Sequence, residues 1–96
     1  MMKTLNKQYA ALELVDYLRS LGLECGVSLS ASTGSSYVTV DTFDSEYEVN
    51  GRYEIRFSNH TRKYNLEDRE CLDLDRDDID YESLESFIAT MVSNNN

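Results

Sequence analysis

Between residues 10 and 21 the apolar side chains Ala11, Leu14, Val15, Leu18 and Leu21 recur three and four positions apart. That spacing lines one face of a helix. Lys7, Glu13, Asp16 and Arg19 fall mostly off the stripe. Thr4 or Asn6 can cap its start, and Gly22 stands where a left-handed stop belongs, so a helix is predicted over 7–21. The period then changes to two. Cys25, Val27 and Leu29 alternate with Gly26, Ser28 and Ser30; Val38 and Val40 alternate with Tyr37, Thr39 and Asp41; Tyr53, Ile55 and Phe57 alternate with Arg52, Glu54 and Arg56. These runs predict three strands, the first two separated by a loop of small polar residues at 30–36. Leu72 and Leu74, alternating with Asp73 and Asp75, predict a fourth short strand over 71–75. A closing helix is predicted over 81–92, with Leu84, Phe87, Ile88 and Met91 as its apolar stripe. Asp80 is its N-cap, with Ile79 and Leu84 as a hydrophobic staple. Asn94, Asn95 and Asn96 read as a frayed polar end.

The link between the second and third strands carries a conflict. Asn50-Gly51 is a strong hairpin signal. A two-residue turn there would put Glu46 and Glu48 on the apolar face, which is costly. Shifting the register by one pairs Val49 with Tyr53 and Tyr47 with Ile55, so a longer turn or a bulge is expected around 50–52. The apolar parity also flips between Val40 and Phe43, which predicts a bulge or loop over 42–46. The order is helix, three or four antiparallel strands, helix. It predicts one α+β domain over 1–96, with two amphipathic helices on one face of a small sheet in two layers.

A chain of 96 residues can bury one modest core and has little room for a deep enzyme pocket. Cys25 and Cys71 lie 46 positions apart, which is neither a metal spacing nor a disulfide framework. No segment approaches the ~20 apolar residues of a membrane span. Residues 1–8 lack the apolar run of a signal peptide, so a cytoplasmic protein without a membrane partner is expected. The net charge of −9 is unevenly placed: ten of the eighteen acidic residues lie between Glu67 and Glu85, with only Arg69 and Arg76 against them. Such a surface repels nucleic acid directly and suits proteins that bind nucleic acid.

Candidate chemistry is sparse. Asp73, Asp75 and Asp77 have the opening spacing of a calcium loop, but the positions that need glycine and glutamate hold Asp78 and Leu84. His60, the one histidine, has no nucleophile beside it in a recognisable pattern and reads as the end of the third strand. The glycines are scattered and form no phosphate loop. No enzyme, metal site or cofactor is therefore expected. Arg52, Arg56, Arg62 and Lys63, with His60 and Glu54 among them, read as a solvated strand face. The acidic run falls on the outward side of the fourth strand and on the first turn of the last helix, where Asp80, Glu82 and Glu85 also favour the helix dipole. Ordered structure would hold these carboxylates where a cationic channel could accept them. Asp73, Asp75, Asp77, Asp78, Asp80, Glu82 and Glu85 are accordingly the candidate partner-binding residues. The alternative is a protein-interaction module that assembles through a sheet face bearing Tyr37, Tyr47, Tyr53 and Tyr64.

One stretch resembles a known group. The run Gly51-Arg52-Tyr53-Glu54-Ile55-Arg56-Phe57-Ser58-Asn59-His60 is similar to a motif of small phage-encoded anti-CRISPR proteins, most closely the type II-A inhibitors of Cas9. Leu66-Glu67 matches a pair that follows in that family, and the resemblance spans roughly 36–90, with Ser35-Ser36 near its start. The family carries a basic N-terminal extension where this chain has an amphipathic helix. The resemblance implies a phage or mobile-element protein that acts in the cytoplasm of an infected bacterium. There it would bind a CRISPR–Cas effector and block DNA binding or cleavage. With the charge reversed, acidic nucleic-acid mimicry is the expected mechanism.

Overall fold

Residues 2–29, 36–58 and 68–95 are described in the computed structural model of the chain. Helix α1 spans Ala10–Ser20, strands β1 to β4 span Glu24–Leu29, Ser36–Phe43, Val49–Ser58 and Glu70–Asp75, and helix α2 spans Tyr81–Asn94. Helix α1 starts later than its apolar spacing predicts. Asn6 Oδ1 accepts the Gln8 N–H at 2.8 Å and Glu13 Oε1 accepts the Asn6 N–H at 3.1 Å, so the residues before Tyr9 are spent on a turn. The helix ends as the sequence predicts. Gly22 takes φ +83°. Its N–H donates to Arg19 O, and the Leu23 N–H donates to Leu18 O. Leu23 and Leu18 are both buried, completing a Schellman motif with its apolar contact.

The four strands lie side by side in chain order. β1 with β2 and β2 with β3 are antiparallel, as expected. β4 joins β3 parallel, from Tyr53 beside Glu70 to Ser58 beside Asp75, so the sheet is mixed rather than wholly antiparallel. Alternation has the same period in both directions and carries no sign of strand sense. The link 59–69 is close to the length a parallel return requires, and most of it lies outside the described residues. Helix α1 packs on β1 and β2, and α2 packs on β2 and β3, so both helices cover one face. Between the layers lie the fully buried Leu14, Leu18, Val38, Val40, Ile55, Phe57, Leu84 and Met91. Leu5, whose N–H donates to the Tyr81 hydroxyl at 2.8 Å, closes this core from the N-terminal side.

The β2–β3 connection departs from the sequence reading. The turn is not at Asn50-Gly51. It lies over 44–48, where Asp44 O accepts the Tyr47 N–H and the Asp44 N–H donates to Glu48 O. Asp44 Oδ1 also accepts the N–H groups of Glu46 and Glu48, at 2.8 and 3.0 Å. Tyr47 sits at φ +62°. Val49 pairs with Phe43, Tyr53 with Val40 and Ile55 with Val38, not Val49 with Tyr53 or Tyr47 with Ile55. The bulge expected near 50–52 is present, with Asn50 as the extra residue between Val49 and Gly51. Thr42 and Phe43 remain in β2. The apolar parity flips there because Thr42 continues the inward row of Val38 and Val40, fully buried, with its hydroxyl 2.6 Å from Asn50 Oδ1.

Asn94 and Asn95 are held in place, unlike a frayed end. Asn94 closes α2; its Nδ2 donates to the Tyr53 hydroxyl at 2.6 Å and its carbonyl accepts Asn50 Nδ2 at 2.9 Å. Asn95 Oδ1 accepts the Phe43 N–H at 3.2 Å, and its Nδ2 reaches Gly22 O. The C-terminus of α2 is thus bonded to the bulge. Among the described residues no helix is long and apolar enough to cross a membrane.

Gly51 is fixed by close approach. A Cβ there would lie 2.7 Å from Thr42 Oγ1 and 2.8 Å from the Tyr53 hydroxyl. Neither neighbour can yield, because Thr42 is bonded to Asn50 and the Tyr53 ring is wedged edge-on against Phe87, 5.6 Å between centroids. Gly51→Ala is therefore expected to cost about 1–3 kcal/mol, the usual range for overpacking. Gly26→Ala, whose Cβ would meet only Thr39 Oγ1 at 3.6 Å, should leave the denaturation midpoint nearly unchanged. Chemical denaturation of the two variants checks the contrast.

Candidate functional site

The acidic residues singled out by sequence are carried on the end of β4, the turn after it and the first turns of α2. Asp73 lies on the sheet face away from the helices, paired with Arg56 at 3.7 Å. Asp75 ends β4. Its carboxylate accepts the Asp77 N–H at 2.9 Å and its carbonyl accepts the Asp78 N–H, while the Arg76 N–H donates to Ser58 O. The turn is thereby tied to the end of β3. Asp80 caps α2 as predicted, with Oδ1 accepting the Ser83 N–H at 3.1 Å and Oδ2 the Ser83 hydroxyl at 2.8 Å. The bond from the Ser83 hydroxyl, followed by that from its N–H, holds the Asp80 carboxyl below the ordinary aspartate range. Glu85 Oε1 accepts the Met2 N–H at 3.2 Å.

Geometry therefore divides the seven candidates. Asp73, Asp80 and Glu85 are engaged in holding the fold, and Asp75 organises the turn. Asp77, Asp78 and Glu82 are exposed, and their carboxylates make no bond among the described residues. Glu82 also borders a shallow open depression with Ser83, Ser86, Phe87 and Thr90. Asp73, Asp75 and Asp77 do not converge on a common point of ligation. Among the described residues no group of three histidine, cysteine or acidic side chains could hold a metal ion.

Within the basic cluster, Arg56 is buried rather than solvated. Arg56 and Glu54 are only 5% and 4% exposed. Arg56 Nη2 lies 3.0 Å from Glu54 Oε2, and the guanidinium carbon lies 4.9 Å from the centre of the Tyr37 ring. The Cys71 thiol donates to Glu54 Oε2 at 3.8 Å. Register explains the assembly. Arg56 pairs with Tyr37 on one side and Asp73 on the other, and Glu54 pairs with Thr39 and Cys71. The Glu-x-Arg spacing within one strand, which puts both side chains on one face, was the sequence signal for this pair; Asp73 was identifiable as a partner only once β4 was placed. Arg52 is exposed, whereas His60, Arg62 and Lys63 lie outside the described residues. Arg69 bonds Asp41 at 3.1 Å and Tyr53 O at 3.2 Å, so it too is engaged within the fold.

The proposed tyrosine face does not exist as one surface. Tyr53 points into the core, Tyr37 lies on the opposite face beneath Arg56, and Tyr47 stands at the tip of the hairpin. Tyr64 lies outside the described residues. The cysteines are also on opposite faces. Cys25 faces α1, where its thiol donates to Val15 O at 3.7 Å and burial raises its pKa. The run 51–58, which carries the family resemblance, is the body of β3, and its residues 53–58 are all buried. Asn59, His60, Leu66 and Glu67 lie outside the described residues.

Removing one member of a buried ion pair strands the other charge. Arg56→Met is expected to cost about 3–5 kcal/mol, because Glu54 is left buried without its counter-ion. The double change Glu54→Gln with Arg56→Met should recover much of that loss, since no uncompensated charge remains on the strand. Equilibrium urea denaturation of the two variants is the check.

In comparisons with known proteins, no family model, no curated protein and no solved structure matches this chain.

Proposed function

We propose that this chain is a non-catalytic binding protein that sets its acidic β4–α2 corner against a cationic, nucleic-acid-contacting surface of a partner protein. One observation carries the reading. Among the described residues Asp77, Asp78 and Glu82 have no partner for their carboxylates, and the backbone that carries them is itself fixed by the Asp75 turn, the Arg76–Ser58 bond and the Asp80 cap. Charges held this way lose little conformational freedom on binding. A partner shaped to grip phosphates meets anions already in position. Asp75 lies beside them and adds to the same field.

The resemblance of 51–60 to type II-A anti-CRISPR proteins names the candidate partner, a CRISPR–Cas effector whose DNA-binding channel the corner would block. The resemblance rests on a buried strand, so it bears on a shared scaffold more than on a shared contact surface. The acidic corner is what recommends a DNA-binding channel.

The test uses the full chain with purified Cas9 and with a purified multi-subunit type I effector, reading target-DNA binding by gel shift. The variant combines Asp75→Asn, Asp77→Asn, Asp78→Asn and Glu82→Gln, leaving the Asp80 cap intact. Exposed charge pairs contribute about 0.2–1 kcal/mol each, so the four changes should weaken inhibition by about 1–4 kcal/mol. Inhibition by the unaltered chain should also decline as salt rises, because screening acts over ~10 Å at 0.1 M. Undiminished inhibition by the variant overturns the mechanism, and no inhibition of either effector removes CRISPR–Cas as the target.

A further inference from the structure

The hairpin tip at 44–49 presents a tyrosine in a position and conformation that the fold itself does not need. Tyr47 is 87% exposed, and Val49 beside it is 43% exposed. The ring therefore contributes almost nothing to the core. Its backbone nevertheless sits at φ +62°. Ser45, Glu46 and Tyr47 form a three-residue hairpin loop closed by the Asp44–Glu48 bond. Such a loop places its third residue in the left-handed region, where glycine is the usual occupant. The chain has a glycine four residues later and uses it at the bulge, where Thr42 and Tyr53 crowd it. At the tip it holds a bulky aromatic residue in a strained conformation, facing solvent.

We propose that the 44–49 tip is a docking element that inserts the Tyr47 ring into an arginine-lined cleft of a partner protein. Charge complementarity identifies the occupant. Asp44, Glu46 and Glu48 flank Tyr47 along the tip, so the segment 44–49 carries three carboxylates and no cation. Arginine suits the combination better than lysine, because a planar guanidinium can stack on the ring while bonding a carboxylate. The molecule already makes this contact internally, where Arg56 lies over Tyr37 and bonds Glu54. The tip is also hydrogen-bonded in place before binding. Asp44 Oδ1 ties down the N–H groups of Glu46 and Glu48, and the clamp of Asn50, Asn94 and Asn95 fixes its base. This surface is separate from the acidic corner. The ten residues of β3 lie between them, about 33 Å of extended chain.

The experiment is run in the background of Asp75→Asn, Asp77→Asn, Asp78→Asn and Glu82→Gln, so that failure of the corner mechanism does not affect its outcome. The probe is a tetra-arginine peptide, with tetra-lysine as the comparison, titrated against isotope-labelled full-length chain and followed by NMR. Tetra-arginine is expected to shift the Tyr47 ring signals and the amides of 46–48, and to bind more tightly than tetra-lysine. Tyr47→Ala should weaken its binding about fivefold, in keeping with an exposed cation–π contact. In the same background Tyr47→Gly should melt at a higher temperature than the tyrosine form while losing the same affinity. Equal binding by Tyr47→Ala overturns the proposal, as do peptide shifts that bypass the tip. A lower melting temperature for Tyr47→Gly overturns it as well, since the ring would then be held for stability.

Discussion

Strand β3 is buried on both faces although its sequence alternates between apolar and charged residues, and the rest of the structure is arranged around that. Tyr53, Ile55 and Phe57 lie under the two helices, which is the ordinary outcome for such a pattern. Glu54 and Arg56 face the other way and are equally buried. Charges can be removed from water only when they are paired and bonded. The pair therefore fixes its surroundings. Tyr37 must lie beside Arg56 on β2, and Asp73 must lie beside it on β4. Cys71 takes the place beside Glu54. The parallel register of β4 is the one that brings Asp73 and Cys71 to those places.

The two ends of β3 then acquire different chemistry. At its start the Asn50 bulge, the crowded Gly51 and the asparagines ending α2 form a hydrogen-bonded clamp, and beyond it stands the strained Tyr47 turn. At its end Ser58 accepts from Arg76, holding the acidic turn beside the start of α2. A chain of net charge −9 thus has an anionic group at each end of its central strand. Much of the acidic sequence serves the fold: Asp44, Asp75 and Asp80 organise turns and a cap, Glu54 and Asp73 pair with Arg56, and Asp41 pairs with Arg69. Asp77, Asp78 and Glu82 have no such task among the described residues.

Where the sequence was legible, the determinant was local. The stripe of α1, the Gly22 stop, the Asp80 cap and the strand alternation all follow from side chains within a few residues of one another. Where it was not, the determinant lay across the sheet. Strand sense leaves no trace in a two-residue period, so only the length of the 59–69 link hinted that β4 is parallel. Asn50-Gly51 imitates a tight turn, but its glycine answers to crowding by Thr42 and Tyr53, which pairing alone reveals. Thr42 hides in the core because Asn50 satisfies its hydroxyl. Asn94 and Asn95 read as a loose tail for want of any local partner. The acidic corner was legible as charge and as capping, yet which carboxylates remain free depends on contacts with Arg56, Met2 and Ser83.

If β3 is the element on which the fold depends, its backbone should open last. Native-state amide hydrogen exchange tests this directly. The amides of 53–58 bonded within the sheet should exchange only through global unfolding, with protection matching the denaturation free energy, while the edge strand β1 and the ends of both helices exchange through smaller openings. Faster exchange in 53–58 than in β1 or the helices would contradict the account. The buried ion pair would then be a passenger in a fold held together by its helices.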